Sequence, residues 1–96
     1  MKLTGIRITL RNEEKLKAFV GATFDDCFVV HNIKIVRGKE GLLLCMPTRK
    51  TPSGAMRDIA HPVHSQFRAY LEGEIFSAYE KELAVEELRH LQSTAA

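Results

Sequence analysis

Hydrophobic positions in the first half of the chain recur every second residue, a period that predicts β-strands with one buried face. Ile6, Ile8 and Leu10 fall on one face of a first strand, and Leu16, Ala18, Val20, Ala22 and Phe24 on one face of a second. Asp25-Asp26 then reads as a two-residue loop, since Asp tolerates positive φ, although Gly does so better. The third strand runs from Cys27 to about Arg37. A tight loop sets Phe24 against Cys27, Ala22 against Val29, Val20 against His31 and Ala18 against Ile33, and keeps one apolar face continuous across both strands. On that register His31 is a hydrogen-bonded core histidine. Gly38-Lys39-Glu40-Gly41 is the next turn, and pairing about its centre sets Ile35 against Leu43 and Ile33 against Cys45. The fourth strand, Leu42 to Met46, is apolar on both faces, the pattern of a strand covered on both sides, as by a second subunit.

Pro47 ends that strand. Thr48-Arg49-Lys50-Thr51-Pro52-Ser53-Gly54 carries the signals of a loop: flanking prolines, a Ser-Gly pair and no apolar residue. Met56 to Ala60 reads as a short fifth strand, stopped by His61-Pro62. A helix begins near Ser65, a candidate N-cap. Phe67, Leu71, Ile75, Ala78 and Tyr79 follow at three- and four-residue steps as one apolar stripe. Gly73 inside it costs about 1 kcal/mol relative to Ala. Val85, Leu88 and Leu91 suggest a further short helix or a weak continuation. Together the elements predict one α+β domain over residues 1–92. It is an antiparallel meander of four to five strands with a C-terminal α-helix packed on one face, and residues 93–96 are a tail expected to fray.

Composition sharpens this picture. Of 96 residues, 45% are hydrophobic. A chain this short buries only about 60–65% of its unfolded surface, so a homo-oligomer is expected. The 27% of charged residues excludes simple disorder. No apolar run approaches the roughly 20 residues of a membrane span. MKLTGIRITL carries no signal-peptide pattern, so a cytoplasmic protein is expected. Charge is unevenly spread: residues 1–68 hold twelve Lys/Arg against six Asp/Glu, whereas residues 69–96 hold two against six. A basic body with an acidic end segment suggests a polyanion partner, although such swings also arise without function. Cys27 and Cys45 lie in strand-like stretches. They read as reduced, buried and too far apart on this register to bond.

Candidate chemistry is sparse. His61-Pro62-Val63-His64 spaces two histidines by three residues, but the second ligand pair of a zinc site is missing, so no metal is expected. Asp58 and His61 could serve as carboxylate and base of a small hydrolase. A loop-fixing polar contact accounts for them better, and no enzyme or cofactor is expected. Gly38 and Gly41 fit a turn and form no phosphate-binding fingerprint. The basic loop says more. Arg49 and Lys50 project from a strand end, Arg57 and Arg68 flank the helix start, and a helix N-terminus favours phosphate. Such a surface suits nucleic acid, or is simply a solvated loop.

Met46-Pro47-Thr48-Arg49-Lys50-Thr51-Pro52-Ser53-Gly54 followed by Arg57-Asp58-Ile59-Ala60-His61-Pro62-Val63 closely resembles the signature of the SpoVG family, the bacterial stage V sporulation protein G group. Phe28-Val29-Val30-His31-Asn32-Ile33 looks like that family's central strand. The resemblance covers about residues 1–80. It implies a dimeric α+β regulator that binds DNA and RNA and affects gene expression, sporulation and septation. The family's contacts, carried over here, fall on Arg49, Lys50, Arg57 and Arg68, with Ser65, Gln66 and Phe67 biasing sequence choice. Two departures stand out: His64 occupies the place of an expected Asn, and Phe67-Arg68-Ala69-Tyr70 is more apolar than expected. A protein-interaction module in septation, with the same loop meeting an acidic protein, is the alternative.

Overall fold

The alternating stretches form strands, and the computed structural model, which describes residues 1–11 and 13–94, assembles them as a four-stranded antiparallel meander. Its members, in spatial as in chain order, are β1 (Leu3–Leu10), β2 (Leu16–Phe24), β3 (Phe28–Gly38) and β4 (Gly41–Cys45). A separate hairpin follows, β5 (Thr48–Lys50) with β6 (Met56–Asp58), and then one helix, α1 (Ser65–Thr94). This is the α+β architecture read from the sequence.

The core lies between one face of the sheet and α1. Ala18, Val20, Ala22 and Phe24 of β2 and Ile33 and Ile35 of β3 are buried, with Leu44 and Met46, against Leu71, Ile75 and Tyr79 of α1. Each such aliphatic side chain stabilises the fold by about 1.5–3 kcal/mol. Two hydrogen bonds clasp the helix start to opposite edges of the sheet. The Leu3 amide donates to the Tyr70 hydroxyl at 3.1 Å, and Arg68 Nη2 donates to the Leu44 carbonyl at 2.9 Å.

The β2–β3 connection departs from the expected register. Asp25 and Asp26 take φ of 51° and 55°, and the Cys27 amide donates to the Phe24 carbonyl at 3.0 Å, as in a type I′ turn. Asp also does here what Gly cannot: the Asp25 carboxylate accepts the Lys2 amide at 2.9 Å. Cys27 remains as a third loop residue, exposed and not buried as expected, and pairing resumes at Phe24–Phe28. Further along, Ala22 pairs with Val30 but Val20 with Ile33, because a bulge places both His31 and Asn32 opposite Gly21. Asn32 adopts a left-handed φ of 64°. One extra residue inverts the alternation. Val30 therefore turns to the core and His31, expected there, is exposed on the outer face.

The β3–β4 turn slips by one residue as well. Gly38 pairs with Gly41, so Ile35 faces Leu44, Val36 faces Leu43 and Lys34, not Ile33, faces Cys45. The segment read as a loop at 48–54 contributes a strand. The expected fifth strand is shorter than 56–60 and pairs with β5, outside the main sheet. The helix is continuous for 30 residues and absorbs the expected second helix. Ser93 and Thr94 belong to it, while the rest of the expected tail, Ala95 and Ala96, lies outside the described residues.

The bulge should be sensitive to its left-handed residue. Asn32→Ile places a β-branched side chain in that conformation and is expected to lower stability by about 1–2 kcal/mol, whereas Asn32→Gly should keep the wild-type urea midpoint. Equal midpoints for the two variants would show that Asn32 does not hold the bulge.

Candidate nucleic-acid interface

The hairpin β5–β6 projects from the body as an arm. Its base is closed by the Ile59 amide donating to the carbonyl of buried Pro47 at 2.7 Å. Its tip is a three-residue loop of Pro52, Ser53 and Gly54. Thr51 and Ala55 close it through the Thr51 amide to the Ala55 carbonyl at 2.7 Å, and the Gly54 amide donates to the Thr51 carbonyl at 2.9 Å. Pro52 suits the first corner and Gly54, at φ 90°, takes the position a β-carbon would strain. The Thr51 hydroxyl adds contacts to Ser53 Oγ at 2.9 Å and to the Ala55 amide at 3.2 Å.

All six strand residues of the arm are exposed. Arg49 pairs directly with Arg57, Lys50 with Met56, and Thr48 with Asp58. Neighbouring residues on a strand point to opposite faces. Arg49 and Arg57 therefore share one face, while Lys50 stands on the other. The sequence reading joined Arg49 to Lys50 and set Arg57 by the helix. The missed signal was Thr-Pro-Ser-Gly itself, a hairpin loop that brings the two arginines opposite each other. Like charges directly opposite in a ladder are destabilising. Among the described residues the ion pairs formed are Arg11–Glu13, Arg68–Glu72 and Arg89–Glu86, and none involves the arm.

The helix start serves structure more than expected. His64, not Ser65, is the N-cap: its Nδ1 accepts the Phe67 amide at 3.1 Å, and its carbonyl accepts the Arg68 amide at 3.2 Å. Imidazole thus fills the role that Asn, expected at this position, fills with its carbonyl oxygen. Phe67 is half-buried among Phe24, Tyr70 and His64, with ring centroids at 6.0, 5.7 and 6.3 Å. Arg68 is drawn to the Leu44 carbonyl and, through Nε at 3.4 Å, to Glu72. Ser65 and Gln66 remain exposed on the first turn. Asp58 lies across from Thr48, and His61 Nδ1 sits 3.0 Å from the Pro62 carbonyl. No helix of the described residues is long and apolar enough to cross a membrane.

Comparison with known proteins places this geometry. The sequence model of the SpoVG family matches residues 1–81, which include the arm and the helix start. The protein named "Putative septation protein SpoVG" in Bdellovibrio bacteriovorus is 48% identical over 83 residues, covering 86% of this chain and 77% of its own length. Its namesake in Caldicellulosiruptor saccharolyticus is 47% identical over 81 residues, 83% of this chain and 92% of its own. That in Clostridium botulinum strain Alaska E43 is 49% identical over 88 residues, 91% and 94% of the two chains.

The capping role of His64 is measurable. His64→Ala should cost about 0.5–2 kcal/mol in chemical denaturation, and His64→Asn should retain wild-type stability. An alanine variant as stable as the wild type would remove His64 from the cap.

Proposed function

The chain belongs to the SpoVG family, and on that premise we propose that it is a cytoplasmic, non-catalytic homodimer acting in septation as a DNA- and RNA-binding regulator. The supporting observation is Arg49 opposite Arg57 on an exposed arm where, among the described residues, neither forms an ion pair and the arm's own Asp58 belongs to the opposite face. Two guanidiniums held against their mutual repulsion are relieved by an anion bridging them, and phosphate oxygens match their fork geometry. Lys50 on the opposite face and the exposed Ser65 and Gln66 extend the contact. Phosphate contacts position the protein and carry no sequence information, so any base preference falls to residues such as Gln66. Septation comes from the names of the relatives.

Exposed Met56 and Ile59 on the arm favour a second reading, an acidic protein partner in septation without nucleic acid. Salt separates the two, since counterion release belongs to a polyanion. Arg49→Gln with Arg57→Gln should weaken binding to every DNA sequence and lower the slope of log K against log salt by about 0.9 per lost contact. The fold should be as stable or more so, because a like-charge pair is removed. A folded double variant with wild-type affinity and slope would refute the arm as the phosphate-binding element.

The dimer is supported by β4, an edge strand with Leu42 and Leu43 exposed. Sedimentation velocity at about tens of micromolar should show a dimer, and Leu43→Lys should convert it to a folded monomer. A monomeric wild type would refute the dimer.

A further inference from the structure

The face of the sheet turned away from α1 carries a pattern that neither the core nor the arm uses. Of the cations on the four strands, Arg7 and Lys34 stand on this face, whereas Lys17 and Arg37 line the space beside Tyr79 and Glu82 of α1; the strands hold not one Asp or Glu. Outward positions bring Arg7 opposite Gly21 and place Phe19 opposite Lys34. Two cations lie over the half-buried Phe19 ring: the Arg11 guanidinium carbon is 5.7 Å and Lys34 Nζ 6.0 Å from its centroid. Arg11 also meets Glu13 at 3.1 Å, at the rim of this face. Next to the ring the floor drops away at Gly21. A β-carbon there would stand 3.7 Å from His31 Nδ1 and 3.9 Å from the Arg7 β-carbon, in ordinary contact with both. The bulge at Asn32 is what turns His31 to this side. Together Arg7, Phe19, Gly21 and His31 line an open basin of about 600 Å³.

We propose that this outer face binds single-stranded nucleic acid, with an unpaired base stacked on Phe19 over the Gly21 basin and the flanking phosphates held by Arg7, Arg11 and Lys34. A π-face can be stacked upon by any base; the base takes the place over the ring that the flexible Arg11 and Lys34 side chains hold here, and the displaced cations meet the backbone. A duplex keeps its base faces inside the stack and cannot use the ring. The absence of strand carboxylates leaves nothing within the sheet to repel phosphate. The inference goes beyond the arm: it adds a second surface, for a different form of nucleic acid.

Fluorescence anisotropy of a labelled oligouridylate of about twelve nucleotides, set beside a labelled duplex DNA, tests it. Phe19→Leu removes the π-face and Gly21→Val fills the basin with a strand-favouring side chain; circular dichroism checks that each is folded. Each variant is expected to lose at least about tenfold in affinity for the single strand with duplex binding unchanged. Arg49→Gln/Arg57→Gln is expected to lose duplex binding and keep single-strand binding, so failure of the arm leaves the outer face separately testable. Folded Phe19→Leu and Gly21→Val proteins with wild-type affinity for oligouridylate would overturn the proposal. So would a wild type that does not bind it, or an arm variant that loses it altogether.

Discussion

One helix can cover only one face of a four-stranded sheet, and the rest of the molecule follows from that inequality. α1 commits Leu71, Ile75 and Tyr79 to the inner face, where small Ala18 and Ala22 of β2 alternate with Val20 and Phe24. The small residues let the helix approach closely, and the larger ones fill the space beside them. No second layer lies over the other face, so its side chains must remain compatible with water. Arg7, Thr9, His31 and Lys34 are exposed there, and half-buried Phe19 carries the Arg11 and Lys34 cations over its ring. A sheet with one wet face is the ordinary condition of an antiparallel meander; what distinguishes this one is that every charged side chain on its strands is basic.

The start of the helix and the arm divide two tasks that lie close in sequence. His64 caps α1, Arg68 reaches the Leu44 carbonyl and Tyr70 the Leu3 amide, so the first turns of the helix are fastened to the sheet by their own polar groups. These residues are thereby committed to the fold. The arm is held only by its base and its tip. Two-stranded hairpins are marginal alone, and placing Arg49 against Arg57 weakens this one further. A local arrangement that works against stability, in a chain otherwise consistent with its fold, is the kind of departure expected at a functional position, and it agrees with the function proposed for the arm.

Period-two alternation gave the four strands, and correctly gave the inner face of β1 and β2 and of Ile33 and Ile35, because one buried face imposes that period. It failed from Cys27 to His31: Cys27 joins the loop, Val30 takes an inner position, and Val29 and His31, expected there, are exposed. The bulge then adds the residue that brings Ile33 back inside without leaving a hydrophobic gap; only Asn32, a residue at ease with positive φ, hinted at it. The helix was legible from Phe67 to Tyr79, where its stripe meets the sheet, and less so beyond, where Val85 and Leu88 are exposed and no core enforces a period. The basic residues of the arm were legible as charges but not as a geometry. Which arginine faces which depends on hairpin register, and a polar segment without a buried face leaves register unspecified in the sequence pattern. Arg68 looked equivalent to Arg49 because composition cannot tell a side chain reaching a carbonyl across the fold from one reaching solvent.

The charge asymmetry along the chain becomes an asymmetry in space. Glu72, Glu74, Glu80, Glu82, Glu86 and Glu87 all belong to α1, on the inner side of the sheet, while Arg7 and Lys34 stand on the outer side and Arg49, Lys50 and Arg57 on the arm. Whether the acids cancel the bases depends on distance. Charges are screened over about 8 Å at physiological ionic strength, whereas the molecule measures 52 by 32 by 24 Å. Even its shortest dimension spans several screening lengths. The acidic helix therefore leaves the field of the outer face and the arm largely intact, and the small net charge of +2 understates how basic those surfaces are to an approaching polyanion. At low salt the screening length grows to about 30 Å, the two sides begin to feel each other, and the helix carboxylates then oppose association. Their opposition is weaker at the ionic strength of the cell, where the basic surfaces act more nearly on their own.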